Sequence, residues 1–359
     1  MILVVEFKNI SPKFTDVFFE IVEKSSNIII TGHEFFDDDS LASALSVYEI
    51  ISQKYQGKNT RILFSGEPDS RYKDFKHFNH VEFVPDIADL VDNAELLIML
   101  DGNKFSRFSH KPEILGKIKK TICIDHHASQ SDTFSLSLMV HQCSSCVEIV
   151  YRSFFTDYLI DKSLADIFLL GILGDTGNFT YLKPSQSDIL LIVKKLIDIS
   201  QEEIQGFLSK YQSISKKVFE TVKELIKNNE YVSTPGWPDF QYSYIKRSFI
   251  KANKLQTSEI VEASYLYSAQ YIRKIENYSW GFVFTPNQNG DVNISCRSLP
   301  GSVNVRILME KMGIGGGHDR ASGGTFAKKD KPLEVDSCIK QTLDWLRSNP
   351  SHKISNIIL

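Results

Sequence analysis

The chain has 359 residues, which is long for one hydrophobic core, and because domains usually hold about 100 to 200 residues we expect two of them. With 42% hydrophobic and 24% charged residues, its composition is typical of a globular protein and excludes a disordered or fibrous chain. A net charge of −3 excludes the large basic excess of a protein that coats long duplex DNA, so we expect a small anionic partner.

Short apolar, β-branched runs predict four buried strands in the first half of the chain. They are 28–31, 61–64, 96–100 and 121–124. Segments with helical spacing of apolar residues separate these runs, for example 40–52. Alternation of this kind predicts an α/β domain with a parallel sheet, which we assign to residues 1–184.

The second half of the chain is predicted to contain a helical connector and a smaller domain. Residues 185–238 form the connector, because they are almost continuously helical in pattern until the breaker Thr-Pro-Gly-Trp-Pro. Residues 239–359 form a smaller α/β domain. Its predicted strands are 240–245, 280–284 and 292–297, and its predicted helices are 258–269, 303–312 and 335–347.

The five cysteines and the apolar runs indicate the cellular compartment in which we expect the protein. An odd number of cysteines spread over a long chain is unlike a secreted disulfide framework and favours the reducing cytoplasm. Cys143 and Cys146 form a single CxxC, for which we favour helix packing over a redox or zinc role. The apolar stretch 167–173 is much shorter than the roughly 18 residues that cross a bilayer, so we expect no membrane partner.

Four clusters of His and acidic residues are predicted to fall just after buried strands, where open α/β sheets bind their ligands. They are 33–39, Asp101, 125–127 and 171–179, the last of which interrupts an apolar helix with a Gly-flanked Asp175. Helix capping by Asp39 or Ser40 would explain one residue of the first cluster. Because buried charge is costly unless it is paired or binds a metal, we interpret the four clusters together as a metal site.

Imidazole and carboxylate ligands without thiolate favour Mn²⁺ over structural zinc or Ca²⁺, with Mg²⁺ or another divalent ion as the alternative. The number of candidate ligands suggests two ions. A pair about 3.5 to 4 Å apart clamps the attacking and leaving oxygens of a phosphoryl displacement. The predicted chemistry is therefore hydrolysis of a phosphate ester.

The Asp-His-His at 125–127 resembles the motif for which the DHH phosphoesterases are named, and the resemblance spans most of the chain. The first cluster is similar to that family's first motif, and Gly-Asp-Thr-Gly-x-Phe at 174–179 is similar to its fourth. Phe36, Ser40 and Ala42 depart from the residues usual in the family, without removing a ligand.

This resemblance implies a role for each candidate residue. One metal would take His33, Asp37 and Asp101, and the other would take Asp39, Asp101, His126 and Asp175, so that Asp101 bridges the two. The implied catalytic residues are Asp125, which would support an imidazole, and His127, which would lie beside the scissile phosphate and contact the substrate.

The second domain carries Arg297 on a predicted strand and a glycine run at 313–324. Consecutive glycines let backbone N–H groups approach a phosphate, although a helix stop and a turn would use the same residues. The run resembles the Gly-Gly-Gly-His motif of the DHH-associated substrate domain. That implies substrate contacts from Arg297, Gly315, Gly316, Gly317 and His318; a salt bridge on an exposed strand is the alternative for Arg297.

The resemblance implies a phosphodiesterase that converts cyclic di-AMP or very short oligoribonucleotides to mononucleotides. The alternatives are a phosphatase for 3′-phosphoadenosine 5′-phosphate and a nucleotide-binding regulatory module without catalysis. The expected partner is a small nucleotide or short RNA, and a homodimer is left open. Phe35, Phe36 and Tyr72 are expected in the core rather than stacked on bases, and His77 and His80 at the surface or at helix ends.

Overall fold

A computed structural model describes residues 2–4, 12–34, 36–127, 131–327 and 331–358. The chain divides into two compact units, Met1–Ser213 and Ile214–Leu359. The boundary falls inside the segment predicted as a helical connector. Within the described ranges, no helix is both long enough and apolar enough to cross a membrane.

The first unit contains a seven-stranded sheet in which every pair of neighbouring strands is parallel. Its strands are β1 (Ile2–Val4), β2 (Asn27–Gly32), β3 (Asn59–Ser65), β4 (Val81–Val84), β5 (Leu96–Leu100), β6 (Thr121–Asp125) and β7 (Leu136–Met139). Their order is β1-β7-β6-β5-β2-β3-β4. This confirms the predicted parallel α/β architecture.

The four predicted strands are the contiguous centre of this sheet, β6-β5-β2-β3. A central parallel strand is covered on both faces, so it appears in the sequence as a continuous apolar run. In β5, for example, Ile98 packs into the larger core on one face and Met99 into a smaller core on the other. The unpredicted strands β1, β7 and β4 lie towards the edges and have three or four residues each.

Seven α-helices accompany the described part of this sheet. They are α1 (Pro12–Glu23), α2 (Asp38–Lys54), α3 (Pro112–Leu115), α4 (Cys146–Phe154), α5 (Lys162–Asp175), α6 (Ile189–Ser200) and α7 (Ile204–Tyr211). Helices α2 and α5 pack closely because α5 has glycines at the contact. A Cβ at Gly171 would lie 2.9 Å from Ala42 Cβ, and one at Gly174 would lie 2.6 Å from Asp38 Cβ. The end of α5 therefore meets the start of α2.

Aromatic packing beside the first cluster confirms the core prediction for Phe36 and Tyr72. The Phe36 ring lies 5.3 Å from Phe64, 5.9 Å from Tyr72 and 5.3 Å from Phe83, measured between centroids. Phe35 lies outside the described residues. Phe36, one of the positions that depart from the resembled family, thus packs into this aromatic group.

The second unit is a mixed six-stranded sheet with helices. Its strands are β8 (Glu230–Val232), β9 (Phe240–Tyr244), β10 (Trp280–Pro286), β11 (Val292–Ser298), β12 (Gly315–His318) and β13 (Ala321–Phe326). Their order is β12-β13-β11-β10-β9-β8, antiparallel except for the β9–β10 pair. The helices are α8 (Lys216–Lys227), α9 (Arg247–Asn253), α10 (Thr257–Gln270), α11 (Val305–Met312) and α12 (Val335–Ser348).

The glycine run forms the paired strands β12 and β13, which the sequence did not predict. A Cβ at Gly315 would lie 2.0 Å from the carbonyl oxygen of Gly323, and one at Gly324 would lie 2.4 Å from that of Ile314. The backbones therefore approach too closely for any side chain. Because glycine replaces the β-branched residues typical of strands, the usual strand pattern is missing.

Candidate metal centre

The first cluster surrounds the start of helix α2. Asp37 is the N-cap: its Oδ1 accepts a hydrogen bond from the Ser40 backbone N–H at 3.0 Å, and the Ser40 hydroxyl oxygen accepts one from the Asp37 N–H at 3.1 Å. The alternative in which Asp39 or Ser40 caps the helix is therefore excluded. Ser40 instead completes a reciprocal capping box. This box fixes the backbone that carries Asp37 and Asp39.

His33 directly follows β2 and is oriented by its own loop. The ring atom Nδ1 lies 2.7 Å from the Glu34 carbonyl oxygen, so Nδ1–H donates there and the Nε2 lone pair stays available. Nε2 lies 3.3 Å from Asp37 Oδ2 and 3.4 Å from Asp101 Oδ2. A hydrogen bond on the far ring nitrogen is the arrangement that prepares an imidazole to bind a metal.

Asp101 follows β5 and lies between the two halves of the cluster. Its backbone has a φ of 59°, in the left-handed region, and its N–H donates to the Ile124 carbonyl oxygen at 3.1 Å. While Oδ2 faces His33, Oδ1 lies 3.5 Å from His126 Nε2. Such a backbone conformation costs about 1 to 3 kcal/mol, and conformations of this kind cluster at functional sites. Here it directs one carboxylate at two imidazoles.

The Asp-His-His segment lies at the end of β6. Asp125 is its last residue and is fully buried, and its Oδ1 accepts a hydrogen bond from His127 Nδ1–H at 2.7 Å. His126 Nε2 lies 3.2 Å from Asp175 Oδ2. The structure thus places Asp125 against His127, and His126 against Asp101 and Asp175.

The fourth cluster reaches the site from a helix. Asp175 is the last residue of α5, so the prediction that all four clusters follow strands is wrong for this one. The long apolar run before Asp175 is a buried helix, which periodicity alone does not distinguish from a buried strand. Asp175 enters the site because α5 packs on α2.

Asp39 has a contact that the sequence did not predict. Its two carboxylate oxygens accept hydrogen bonds from the backbone N–H groups of Cys146 and Val147, at 2.6 and 2.8 Å. These N–H groups open helix α4, where the helix dipole favours a negative charge. A carboxylate oxygen has a second lone pair, so the capping contact leaves Asp39 able to bind a metal.

The CxxC cysteines lie behind this contact. Cys143 and Cys146 are both buried in the larger core, and the Cys146 thiol donates to the Ile124 carbonyl oxygen at 3.2 Å. Burial raises the pKa of each thiol. This environment agrees with the packing interpretation of the two residues.

The electrostatics show that the cluster carries an excess of buried negative charge. Burial raises the pKa of Asp175 to about 7, although His126 opposes that shift. Burial together with Asp101 and Asp175 raises the pKa of Asp39 well above its ordinary value. Burial lowers the pKa of His126, but Asp175 and Asp101 outweigh it and raise the pKa overall. The cluster must therefore gain positive charge, either as protons or as a cation.

Three groups of ligand atoms satisfy the geometric requirement for a cation. Within each group, one atom from each residue lies within 4.8 Å of the others; the groups are His33/Asp37/Asp101, Asp39/His126/Asp175 and Asp101/His126/His127. Asp101 Oδ1 and His126 Nε2 are buried and, although they lie 3.5 Å apart, neither makes a hydrogen bond of acceptable geometry among the described residues. Because orphaned buried polar atoms are rare, these residues fit a metal ligand set.

Tyr72 and Asp38 form a contact beside the centre that sequence reasoning missed. The Tyr72 hydroxyl donates to Asp38 Oδ1 at 2.6 Å, and Tyr72 is 3% exposed. Burial raises the pKa of Asp38 to about 6, against the opposing effect of this hydrogen bond. No local signal connects two residues so far apart in the sequence.

Apart from His127, the predicted substrate residues lie in the second unit and share part of one sheet. Arg297 on β11 is opposite Ala321 on β13, which is opposite His318 on β12, so the three form one cross-strand row. On the same two strands, β12 and β13, Gly316 is opposite Gly323. The Arg297 guanidinium donates from Nη1 to the Cys296 carbonyl oxygen at 2.9 Å.

Family models match both units. The model described as the DHH family, N-terminal domain, matches residues 27–172, and the DHHA1 domain matches residues 249–347. The fold and the centre define a two-domain α/β protein with carboxylates and imidazoles at the edge of a parallel sheet. The chain contains a DHH domain followed by a DHHA1 domain, as its motifs predicted.

Relatives with curated names are similar over most of this chain. The cyclic-di-AMP phosphodiesterase GdpP of Bacillus subtilis (strain 168) is 27% identical over 333 residues, which cover 83% of this chain and 45% of that protein. The probable bifunctional oligoribonuclease and PAP phosphatase NrnA of Streptococcus mutans is 23% identical over 314 residues, which cover 84% of this chain and 90% of that protein. The chain thus spans about half the length of the cyclic-di-AMP phosphodiesterases that it matches.

The fold is also found in a solved structure. An exopolyphosphatase-related protein from Bacteroides fragilis aligns with a TM-score of 0.77 at 20% identity, over 96% of this chain and 99% of that one. At this level of identity the similarity shows the fold alone.

Proposed function

We propose that the chain is a metal-dependent phosphodiesterase that hydrolyses small nucleotide diesters, cyclic di-AMP or very short oligoribonucleotides, to mononucleotides. The observation that carries the proposal is the buried cluster around Asp101, in which Oδ1 and His126 Nε2 lack hydrogen-bond partners among the described residues. A purely structural cluster would pair these atoms. The names of the relatives supply the substrate class.

We assign two Mn²⁺ ions to this centre. His33, Asp37 and Asp101 would hold one, and Asp39, Asp101, His126 and Asp175 would hold the other. When bound, divalent ions polarise phosphoryl oxygens and neutralise the charge that develops on them. Asp101 would be shared, in keeping with its position between His33 and His126.

The remaining residues orient and bind the substrate. Asp125 accepts the Nδ1–H of His127 and so directs the other edge of that ring towards the phosphate in our proposal. Arg297, Gly315, Gly316, Gly317 and His318 would contact the nucleotide from the second unit. An Arg suits this role because its planar guanidinium can donate two parallel hydrogen bonds to the oxygens of a phosphate.

A phosphatase acting on 3′-phosphoadenosine 5′-phosphate is the second candidate. The S. mutans relative carries both activities in its name and matches this chain over 90% of its own length. The same centre suits monoester and diester hydrolysis, because both displace an oxygen from phosphorus.

The deciding experiment is a product assay on cyclic di-AMP, linear diadenylate and the bisphosphate side by side. Protein dialysed against EDTA should release no product, and Mn²⁺ should restore hydrolysis better than Mg²⁺ does. Hydrolysis that persists undiminished in EDTA would rule out the metal mechanism. Nucleotide binding without turnover at any metal concentration would identify a regulatory module instead.

A further inference from the structure

An open cavity of about 320 Å³ lies at one end of the mixed sheet. Its size is at the lower end of the range of about 300 to 1,000 Å³ that small-molecule sites occupy. We call it the Leu299 cavity. It is lined by Arg273, Lys274, Ile275, Glu276, Asn277, Tyr278, Ser279 and Leu299.

The sheet register places this cavity next to Arg297. The Leu299 N–H donates to the Ser279 carbonyl oxygen at 2.8 Å, so the pairing of β10 with β11 continues one residue past Ser298. Because side chains alternate along a strand, Arg297 and Leu299 are on the same face, with Cα atoms about 7 Å apart. A ribose spans such a separation between a phosphate and its base.

The lining suits a flat, partly apolar group that carries an anion. Ile275, Tyr278 and Leu299 supply apolar and aromatic surface, and Leu299 is 38% exposed. Asn277 and Ser279 add groups that donate and accept hydrogen bonds. Two cationic side chains against one carboxylate give the lining a positive balance. A nucleobase with its phosphate has this combination of properties.

Hydrogen bonds hold the walls of the cavity in place. Gln241, fully buried on β9, donates from Nε2 to the carbonyl oxygens of Tyr271 and Ile272, at 3.2 and 3.1 Å, and so anchors the start of the lining loop. Arg320 Nη1 donates to the Leu299 carbonyl oxygen at 2.6 Å. The Tyr278 ring packs on Tyr231, with 4.5 Å between centroids. A preformed wall lowers the entropy cost of binding.

We propose that the Leu299 cavity binds a nucleobase of the substrate, next to the phosphate that Arg297 contacts. This inference rests on the proposed function for its ligand class. It assigns base recognition to the loop 273–279 and Leu299, outside the glycine run.

The test compares binding of AMP and ribose 5-phosphate to the full chain with Mn²⁺. Wild-type protein should bind AMP about 10-fold more tightly, because stacking and apolar contact with the base are lost in the sugar phosphate. Leu299→Ser, which removes the apolar contact without adding charge beside the phosphate, should abolish this difference by weakening AMP alone. Tyr278→Ala should do the same, and Tyr278→Phe, which keeps the ring, should restore the preference.

Leu191→Ser is the matched control, since Leu191 is an exposed leucine of helix α6. Equal binding of AMP and ribose 5-phosphate by wild-type protein, or unchanged AMP binding by a folded Leu299→Ser variant, would overturn the cavity assignment even if diadenylate is hydrolysed. A base preference lost in Leu299→Ser, in a protein that hydrolyses no nucleotide, would support the cavity and overturn the proposed function alone.

Discussion

Two clusters of acidic residues lie along helix α2, and the pKa values of their buried carboxylates are shifted in opposite directions. The metal-centre cluster, near its start, contains His33, Asp37, Asp39, Asp101, His126 and Asp175. The Glu49 cluster, further along, contains Glu49, Lys76, His77 and Tyr158: Lys76 Nζ and the Tyr158 hydroxyl each lie 3.0 Å from Glu49 Oε1, and His77 Nε2 contacts Oε2. Both clusters bury carboxylates, but Asp101 Oδ1 in the first has no hydrogen-bond donor among the described residues, whereas both carboxylate oxygens of Glu49 in the second have one.

The pKa shifts show the same contrast. In the metal-centre cluster, burial and neighbouring carboxylates raise the pKa of Asp39 and Asp175. Burial also penalises the Glu49 carboxylate, but His77 and Lys76 outweigh that penalty and lower its pKa to about 2. Burial of acidic groups therefore does not by itself identify a functional site. The distinguishing property is whether the buried charges are already compensated by the protein.

The largest expected effect is on Asp101. Asp101→Asn should reduce turnover of diadenylate by about 10³ or more, because a shared ligand supports both proposed ions. Mn²⁺ should raise the melting temperature of the wild type but not of this variant, since a ligand stabilises only a protein that binds it. Near-normal turnover with two bound metals would show that another group bridges.

Arg297 belongs to neither cluster, so its substitution tests substrate binding separately from metal binding. Arg297→Ala should lower kcat/KM for a nucleotide by about 10- to 150-fold, the equivalent of roughly 1.5 to 3 kcal/mol of charge-assisted hydrogen bonds. A small chromogenic diester should be affected much less, and metal content should not change. Arg306→Ala, which removes an exposed ion pair with Glu310 and Asp319, is the control. Equal loss on both substrates would assign Arg297 to the fold.

Glu49→Gln should have the opposite effect to the one expected of Asp101→Asn: it should lower stability and leave turnover unchanged. We expect it to lower the free energy of unfolding at pH 7 by about 3 kcal/mol, from a shift of the pKa from 4.5 to about 2. Turnover per folded molecule and the Mn²⁺-induced rise in melting temperature should persist. Loss of the Mn²⁺ response would show that the two clusters are coupled.

The sign of the pH dependence follows from the direction of this shift. Because the pKa of Glu49 is lower in the folded chain, its stabilisation is present above about pH 4.5 and is lost as the pH falls towards 2. The difference in free energy of unfolding between wild type and Glu49→Gln, measured by denaturant titration, should therefore become smaller as the pH falls from 5 to 3. If this difference stayed constant over that range, the loss of stability would come from altered side-chain packing and not from the charge of Glu49.

Tyr158→Phe should have the smallest effect. It removes one hydrogen bond to Glu49 Oε1 and should cost about 1 to 2 kcal/mol, with no change in turnover. Burial, together with Glu49, raises the pKa of Tyr158 to about 12, so its hydroxyl stays a donor throughout the accessible pH range. Denaturant titration at pH 7 measures the loss; a change in kcat would contradict the separation of the two clusters.

The sequence by itself determined the central strands, the α/β class and the types of the two domains. These follow from local patterns: a parallel strand covered on both faces is a continuous apolar run, and motif residues directly follow such runs. His33, Asp101 and 125–127 were found because each lies just after a central strand.

The tertiary structure decided which distant groups meet. Asp175 reaches the centre only because glycines let α5 pack on α2, and Asp39 meets the start of α4 across more than 100 residues. The Glu49 cluster arises in the same way, because Tyr158 lies 109 residues from Glu49. Contacts of this kind depend on chain packing over long separations, whereas propensity and periodicity report only on neighbours along the sequence. The hairpin of β12 and β13 is local, and it was not predicted because its glycines lack the usual strand pattern.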